Sequence, residues 1–211
     1  TKIKFTNDKK SQILIECMWD NPVHWIRMAI IKPAIEKKYG SRTCLLRLDK
    51  INKSTKKILK NLGYSNEEIL PDKIPLKYKL KANKILNKKN ITDNFLYNLK
   101  LPGGFPAFYF YDEILKKNAI GKIEGSKVNY KFFLAKTLFY LDFYKSFLDR
   151  NSINTAILSH QITIRYSTLI WMMLKKNIPV YFTNYYNLLS TKDVKEFGYH
   201  MNLISIWFMG A

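Results

Sequence analysis

The sequence predicts an α/β protein with an open parallel sheet flanked by helices. Two stretches support this prediction, residues 12–48 and residues 155–182. In each, a short apolar run is followed by a helical pattern and then by a second apolar run. Strands buried on both faces of a parallel sheet are nearly continuous apolar runs, and the connections between them are usually helices.

The first stretch opens with QILIECMW, residues 12–19, which predicts a buried strand. A helical pattern follows from Val23 and ends at Gly40, a residue suited to the position just after a helix. Pro33 lies inside this pattern, and we expect it to kink or divide the helix. The residues TCLLRL, 43–48, then predict a second strand.

A helix is predicted next over STKKILKNLG, residues 54–63, with Ser54 as its N-cap. The Lys- and Asn-rich segment that follows, residues 64–100, predicts a basic helical insertion interrupted by Pro71 and Pro75. We expect SNEEIL, residues 65–70, to be one of its short surface helices. Two interpretations of this segment remain open: a solvated basic face or an anion-binding patch.

The middle of the chain combines an irregular loop with segments that are rich in aromatic residues. The Pro- and Gly-rich residues 102–106 predict an irregular loop, and four aromatics then lead into Asp112 and Glu113. Residues 129–150 predict a long amphipathic helix whose Phe and Tyr residues pack in a core. A membrane-surface helix is the alternative, because lysines are interleaved with the aromatics.

The second α/β stretch supplies a strand over Thr155–Leu158, a helix over Ile164–Lys176 and a strand over Pro179–Phe182. Between the first strand and the helix lies the polar triplet Ser159-His160-Gln161. Ligands of open parallel sheets bind at the carboxyl ends of strands, where such polar residues collect. The triplet is therefore a candidate site, although Ser159 could equally cap the helix.

Other candidates follow from the same rule. The polar residues near the end of the first strand, or from the middle of the chain, are Glu16, Asp20, Asn21, His24, Tyr111, Asp112 and Glu113. His160 is the best general base, because imidazole titrates near neutral pH. Asp112 is the foremost of the acidic alternatives. The patterns of serine hydrolases and of Gly-rich phosphate loops are absent, as is any Cys and His spacing typical of a metal site.

The high positive charge of the chain is weak evidence for an anionic binding partner. Lys and Arg number 36 against 16 Asp and Glu, a formal charge of +20. Such an excess favours anionic partners, but most of it is Lys accompanied by Asn and Ile, a bias typical of AT-rich genomes. Cys17 and Cys44 lie in apolar runs, which predicts buried free thiols and a reducing compartment. No apolar run approaches the roughly 20 residues that span a bilayer.

Several segments, in order, resemble the N-terminal half of a bacterial capsule or surface-polysaccharide glycosyltransferase of the GT-B type. They are ILIECMWDNPVHWIRMAIIKPAI, KNLGY, FPAFYFYDEILKK and AILSHQITIRYSTLIWMMLKKNIPVYF. The resemblance implies a single Rossmann-like domain over residues 1–211, forming the acceptor-side half of an enzyme. It also implies that Ser159, His160, Tyr111 and Asp112 line a cleft between domains.

From the resemblance we expect a sugar to be transferred from a nucleotide-sugar to a glycan or lipid-linked acceptor. His160 or Asp112 would be catalytic, and Ser159 and Tyr111 would bind substrate. The strand-end rule adds five substrate-binding candidates: Glu16, Asp20, Asn21, His24 and Gln161. Neither a metal nor another cofactor is expected. The expected location is cytoplasmic, either free or at the inner face of the cytoplasmic membrane. The alternatives are a basic nucleic-acid-binding protein, which scarce Arg disfavours, and a non-catalytic α/β scaffold domain.

Overall fold

The computed structural model describes residues 11–18, 22–64, 66–87, 91–123, 125–160, 163–183 and 188–191. The strands among them are β1 to β6: Gln12–Cys17, Arg42–Leu48, Asn66–Leu70, Ile153–Leu158, Val180–Thr183 and Leu188–Thr191. The α-helices are α1 to α7: Pro22–Tyr39, Lys53–Leu62, Leu76–Ile85, Asp93–Tyr97, Ala107–Asn118, Tyr130–Arg150 and Ile164–Lys175.

The chain divides into two compact units. Unit 1 comprises Thr1–Asp72, Ser146–Gln161 and Met173–Ala211, and unit 2 comprises Lys73–Lys145 and Ile162–Met172. All six strands belong to unit 1. The predicted basic insertion is divided between the units, with β3 in the first and α3 and α4 in the second. The expectation of a single domain over residues 1–211 stays a prediction.

The sheet of unit 1 has the strand order β3-β2-β1-β4-β5-β6. The strands β1 to β5 are mutually parallel, and β6 pairs antiparallel with β5. From β1 the chain moves to β2 and β3 on one side, and it later returns as β4 on the other side of β1. This Rossmann-like order confirms the predicted α/β fold and places its topological switch point between β1 and β4.

Both faces of the central strands are buried, as a parallel sheet requires. On one face, Met28 of α1 packs with Ile13, Ile15 and Ile157 of β1 and β4. Leu59 of α2 packs with neighbouring residues of β1 and β2 on that face. On the other face the side chains of Leu14, Cys44, Leu46, Ala156, Leu158 and Val180 are also fully buried.

In unit 2 the aromatic helix α6 is a core element. Residues of α6 that are buried in this unit include Leu134, Ala135, Leu138, Phe139 and Tyr144. Tyr78 of α3 packs its ring 5.4 Å from that of Phe139, centroid to centroid. These contacts confirm the predicted core face of α6. No described helix combines the length and the hydropathy needed to cross a membrane.

One predicted element is wrong in type. The segment SNEEIL was expected to be a surface helix, but Asn66–Leu70 forms β3, which pairs in parallel with β2. Glu67 of β3 forms an ion pair with Arg47 of β2, and Glu68 forms one with Arg150. Pairing with a neighbouring strand has overridden the low strand propensity of two consecutive glutamates, as tertiary contacts often do.

Two local details also differ from expectation. The N-cap of α2 is Asn52 rather than Ser54, because the Asn52 side chain accepts the backbone N–H of Thr55 at 2.7 Å. The helix α1 is continuous from Pro22 to Tyr39, so Pro33 does not divide it. Gly63 ends α2 at a φ of +60°, a conformation that favours glycine.

Candidate functional site

The candidate site of unit 1 lies at the carboxyl ends of β1 and β4, on either side of the switch point. We define the strand-end cluster as Glu16, His24, Ser159 and His160. Glu16 is in β1, His24 is in the first turn of α1, and Ser159 and His160 follow β4 directly. Four of the predicted site residues are therefore together, although Glu16 and Ser159 are 143 positions apart in sequence.

The Glu16 carboxylate is the centre of the cluster. Its side chain is completely buried, and one oxygen accepts the backbone N–H of Met18 at 2.7 Å. The other oxygen accepts the backbone N–H of Ser159 at 2.8 Å and the Ser159 hydroxyl. A buried carboxylate is stable only when its oxygens are hydrogen-bonded in this way. Glu16 thus links the ends of two central strands.

His24 supports the same carboxylate from α1. Its Nε2 lies 3.0 Å from the Glu16 carbonyl oxygen and 3.5 Å from Glu16 Oε1. With the proton on Nε2, the ring donates to the carbonyl. The His24 side chain is almost fully buried, which suits a positioning role better than direct contact with a ligand.

His160 is the member of the cluster best suited to accept a proton. It is half-buried, and burial lowers its pKa below the usual 6.5. The proximity of His24 lowers the pKa further, while Glu16 acts in the opposite direction. A lowered pKa keeps the imidazole neutral, and therefore basic, at neutral pH.

The predicted residues of the YDEILKK segment lie on α5 in unit 2. Tyr111 is hydrogen-bonded to Asp93, and burial raises the pKa of its hydroxyl. Asp112 forms an ion pair of 2.6 Å with Lys116, one helical turn away. Such i,i+4 pairs are common on helix surfaces, so Asp112 has a structural partner. That these residues line one cleft with Ser159 and His160 stays a prediction.

Among the described acidic residues of unit 2, Glu113 is the most buried, at 4% exposure. Its Oε2 accepts the backbone N–H of Ile164, the first residue of α7, at 3.2 Å. Its Oε1 has no hydrogen-bond partner among the described residues. Burial raises the pKa of Glu113 and lowers that of nearby Lys136. The sequence showed Lys136 only as one of the lysines interleaved with aromatics, so its electrostatic interaction with Glu113 was not predicted.

A cavity of about 300 Å³ lies elsewhere in unit 1, between α2 and the strands β2 and β3. Apolar side chains and cations line it, among them Leu45, Leu59, Arg47, Lys56 and Lys60. None of the predicted site residues contributes to this cavity. Four of the predicted residues lie at the switch point instead, in the strand-end cluster.

Three of the predicted substrate-binding residues, Asp20, Asn21 and Gln161, lie outside the described residues. Among the residues that are described, no three His, Cys, Asp or Glu side chains are grouped as they would be around a metal ion. Both cysteines are buried free thiols, as predicted.

A comparison of the chain with protein-family models, with curated proteins and with solved structures finds no match in any of the three.

Proposed function

We propose that this protein transfers a sugar from a nucleotide-sugar to a glycan or lipid-linked acceptor, with the acceptor hydroxyl beside His160 of the strand-end cluster. The observation that carries the proposal is the half-buried His160 at the switch point, beside a carboxylate that fixes the surrounding backbone. Ligands of Rossmann-like sheets bind at this place. The resemblance of the sequence to polysaccharide glycosyltransferases supplies the reaction.

His160 would act as the general base. The acceptor oxygen forms a bond to the anomeric carbon of the donor sugar, and its proton passes to the neutral imidazole. The bond between that carbon and the nucleoside diphosphate breaks, and the diphosphate leaves with the electron pair. A base whose pKa lies near or below the working pH is unprotonated when the substrate arrives, which suits this step.

Glu16 and His24 would position the base without touching the substrate. The Glu16 carboxylate holds Ser159 by two hydrogen bonds, and Ser159 precedes His160 directly. Because a displacement of about 1 Å can cost a hundredfold in rate, fixing this backbone matters to catalysis. The Ser159 hydroxyl is already engaged by Glu16, which favours positioning over substrate binding for Ser159 as well.

The proposal is tested by following radiolabel from UDP-glucose, UDP-galactose, UDP-N-acetylglucosamine and GDP-mannose into the lipid and glycan fractions of bacterial membranes. His160→Asn is expected to lower the transfer rate by about 10²–10⁴-fold, the usual contribution of a general base. Asp149→Asn, at a surface ion pair with Lys176, is the control and should transfer at the native rate.

Asp112→Asn forms the second arm of the experiment. If Asp112 were the base, this variant would lose activity and His160→Asn would not, and the assignment of roles would be reversed. Native transfer by both variants, or the absence of transfer from every donor, would refute the proposal.

A further inference from the structure

The basic helix α3 has an outer face that nothing in the proposed chemistry uses. Leu76 and Leu80 are 67% and 59% exposed, although they are large apolar side chains. They are four residues apart and therefore lie one above the other on one side of the helix. Tyr78 and Ala82, on the opposite side, are 7% and 0% exposed. The helix thus has one face packed in unit 2 and one apolar ridge directed to solvent.

Lysines border this ridge on both sides. At helical spacing, Lys77 and Lys84 lie on one flank of the two leucines, and Lys79 lies on the other. Lys81 lies beyond Lys77, on the same flank but farther from the leucines. All four are exposed. Lys77 lies 3.7 Å from Asp142, whereas Lys79, Lys81 and Lys84 form no ion pair among the described residues. We call the two leucines with these four lysines the α3 outer face.

The inner side of α3 is well anchored. The Tyr78 hydroxyl donates to the Asp142 carboxylate of α6, and the Tyr78 ring packs on Phe139. Pro75 is the N-cap residue of the helix, and its ring fixes φ there at -59°. The leucines are therefore held outward by a fixed helix, so their exposure follows from the packing of unit 2.

We propose that the α3 outer face docks this protein on an anionic lipid bilayer. Interfacial helices bury a short apolar face at the headgroup level and keep lysines around it, whose long stems reach outward to the lipid charges. The positive flanks complement an anionic surface, and the leucine ridge supplies the apolar insertion. A nucleic acid would also attract the lysines, but it offers no apolar layer for Leu76 and Leu80.

This inference extends the proposed function by naming the surface that would bring the chain to a lipid-linked acceptor. It does not depend on sugar transfer for its test, because vesicle binding requires no donor. Either proposal can therefore fail while the other stands.

The test is co-sedimentation of the full chain with vesicles of phosphatidylcholine alone and with mixed vesicles of phosphatidylcholine and phosphatidylglycerol. We expect binding to the mixed vesicles only. Replacing Lys79, Lys81 and Lys84 by Gln should weaken it by about fivefold for each lysine. The L76S/L80S double variant should weaken it by about tenfold or more, because two inserted side chains are lost.

A matched control exists on α1. Ile26 and Ile30 are 62% and 70% exposed with the same four-residue spacing, but they lack the dense lysine flanks of α3. The I26S/I30S variant should bind the mixed vesicles as the native chain does. Since all the substituted residues are exposed, the variants should keep the native circular dichroism and thermal unfolding midpoint.

Three outcomes would overturn the proposal. The first is an absence of binding to mixed vesicles, and the second is binding that survives both α3 variants. The third is binding that depends on the lysines but not on the leucines, together with equally tight binding of single-stranded RNA, which would assign the face to nucleic acid.

Discussion

The Glu16 carboxylate offers the sharpest test of the structure, because it connects two strand ends through donors that are buried or partly buried. In the Glu16→Ala variant the buried N–H of Met18 loses its acceptor, and Ser159 loses the acceptor of both its N–H and its hydroxyl. An unsatisfied buried donor costs about 1–3 kcal/mol, and an ordinary hydrogen bond contributes about 1 kcal/mol. Because Ser159 is only half-buried, water can replace part of its loss.

We therefore expect Glu16→Ala to lower the free energy of unfolding by about 2–4 kcal/mol. Glu16→Gln keeps the volume and one acceptor oxygen but turns an NH₂ group towards a backbone N–H, so we expect roughly half of that loss. Urea unfolding followed by circular dichroism measures the totals. Hydrogen exchange of the amides in residues 12–18 and 153–159 shows whether the loss is located at the two strand ends.

Two further variants make this result decisive. Glu68→Ala removes an ion pair with an exposed Arg150 and should change stability by less than about 1 kcal/mol. The double-mutant cycle of Glu16→Ala with Ser159→Ala should give a coupling energy of about 1 kcal/mol. A loss below about 1 kcal/mol in Glu16→Ala, with unchanged exchange at β4, would show that the carboxylate does not link the strands.

Three other predictions concern pH and backbone conformation. Because burial lowers the pKa of His160 below 6.5, the unfolded chain binds this proton more readily. The neutral His160 side chain therefore makes its full contribution to stability above about pH 6.5, and this contribution is lost as the pH falls below that value. His160→Asn should flatten that decline in the urea midpoint, and an NMR titration of the imidazole at or above 6.5 would contradict the reasoning. Because burial raises the pKa of Glu113 above 4.5, its contribution is present at low pH and is lost as the pH rises through about 4.5 and above. Glu113→Gln should reduce the difference between urea midpoints at about pH 5 and pH 7, whereas Glu68→Gln should leave that difference as it is. Gly63→Ala should cost about 1 kcal/mol, because φ is +60° there although a Cβ would meet no atom within 4 Å. Gly121→Ala, with equal space and no positive φ, should cost less than about 0.5 kcal/mol, and equal losses at the two glycines would contradict the backbone argument.

Local patterns predicted most of the sheet. The strands β1, β2, β4 and β5 are found where continuous apolar runs predicted them, because a strand buried on both faces needs apolar residues at every position. Gly40 and Gly63 likewise marked helix ends. Both adopt positive φ values, which glycine tolerates at little cost.

A strand whose conformation depends on pairing with a neighbouring strand could not be predicted from its own sequence. The strand β3 contains two consecutive glutamates, and its sequence NEEIL does not alternate between polar and apolar residues, so nothing local separates it from a surface helix. Its pairing with β2 and the ion pairs of Glu67 and Glu68 decide its conformation. The ion pair of Asp112 with Lys116 is a contrasting case, because the four-residue spacing alone could have predicted it.

The candidate site shows the same division. The sequence by itself determined which polar residues end the strands, since Glu16, Ser159 and His160 each close or follow an apolar run. Only the tertiary structure decided that β4 pairs with β1 and brings Ser159 to the buried Glu16 carboxylate. Hydrophobic periodicity specifies the type and burial of each strand, but strand order depends on side-chain packing between segments far apart in the chain. No local pattern encodes that packing.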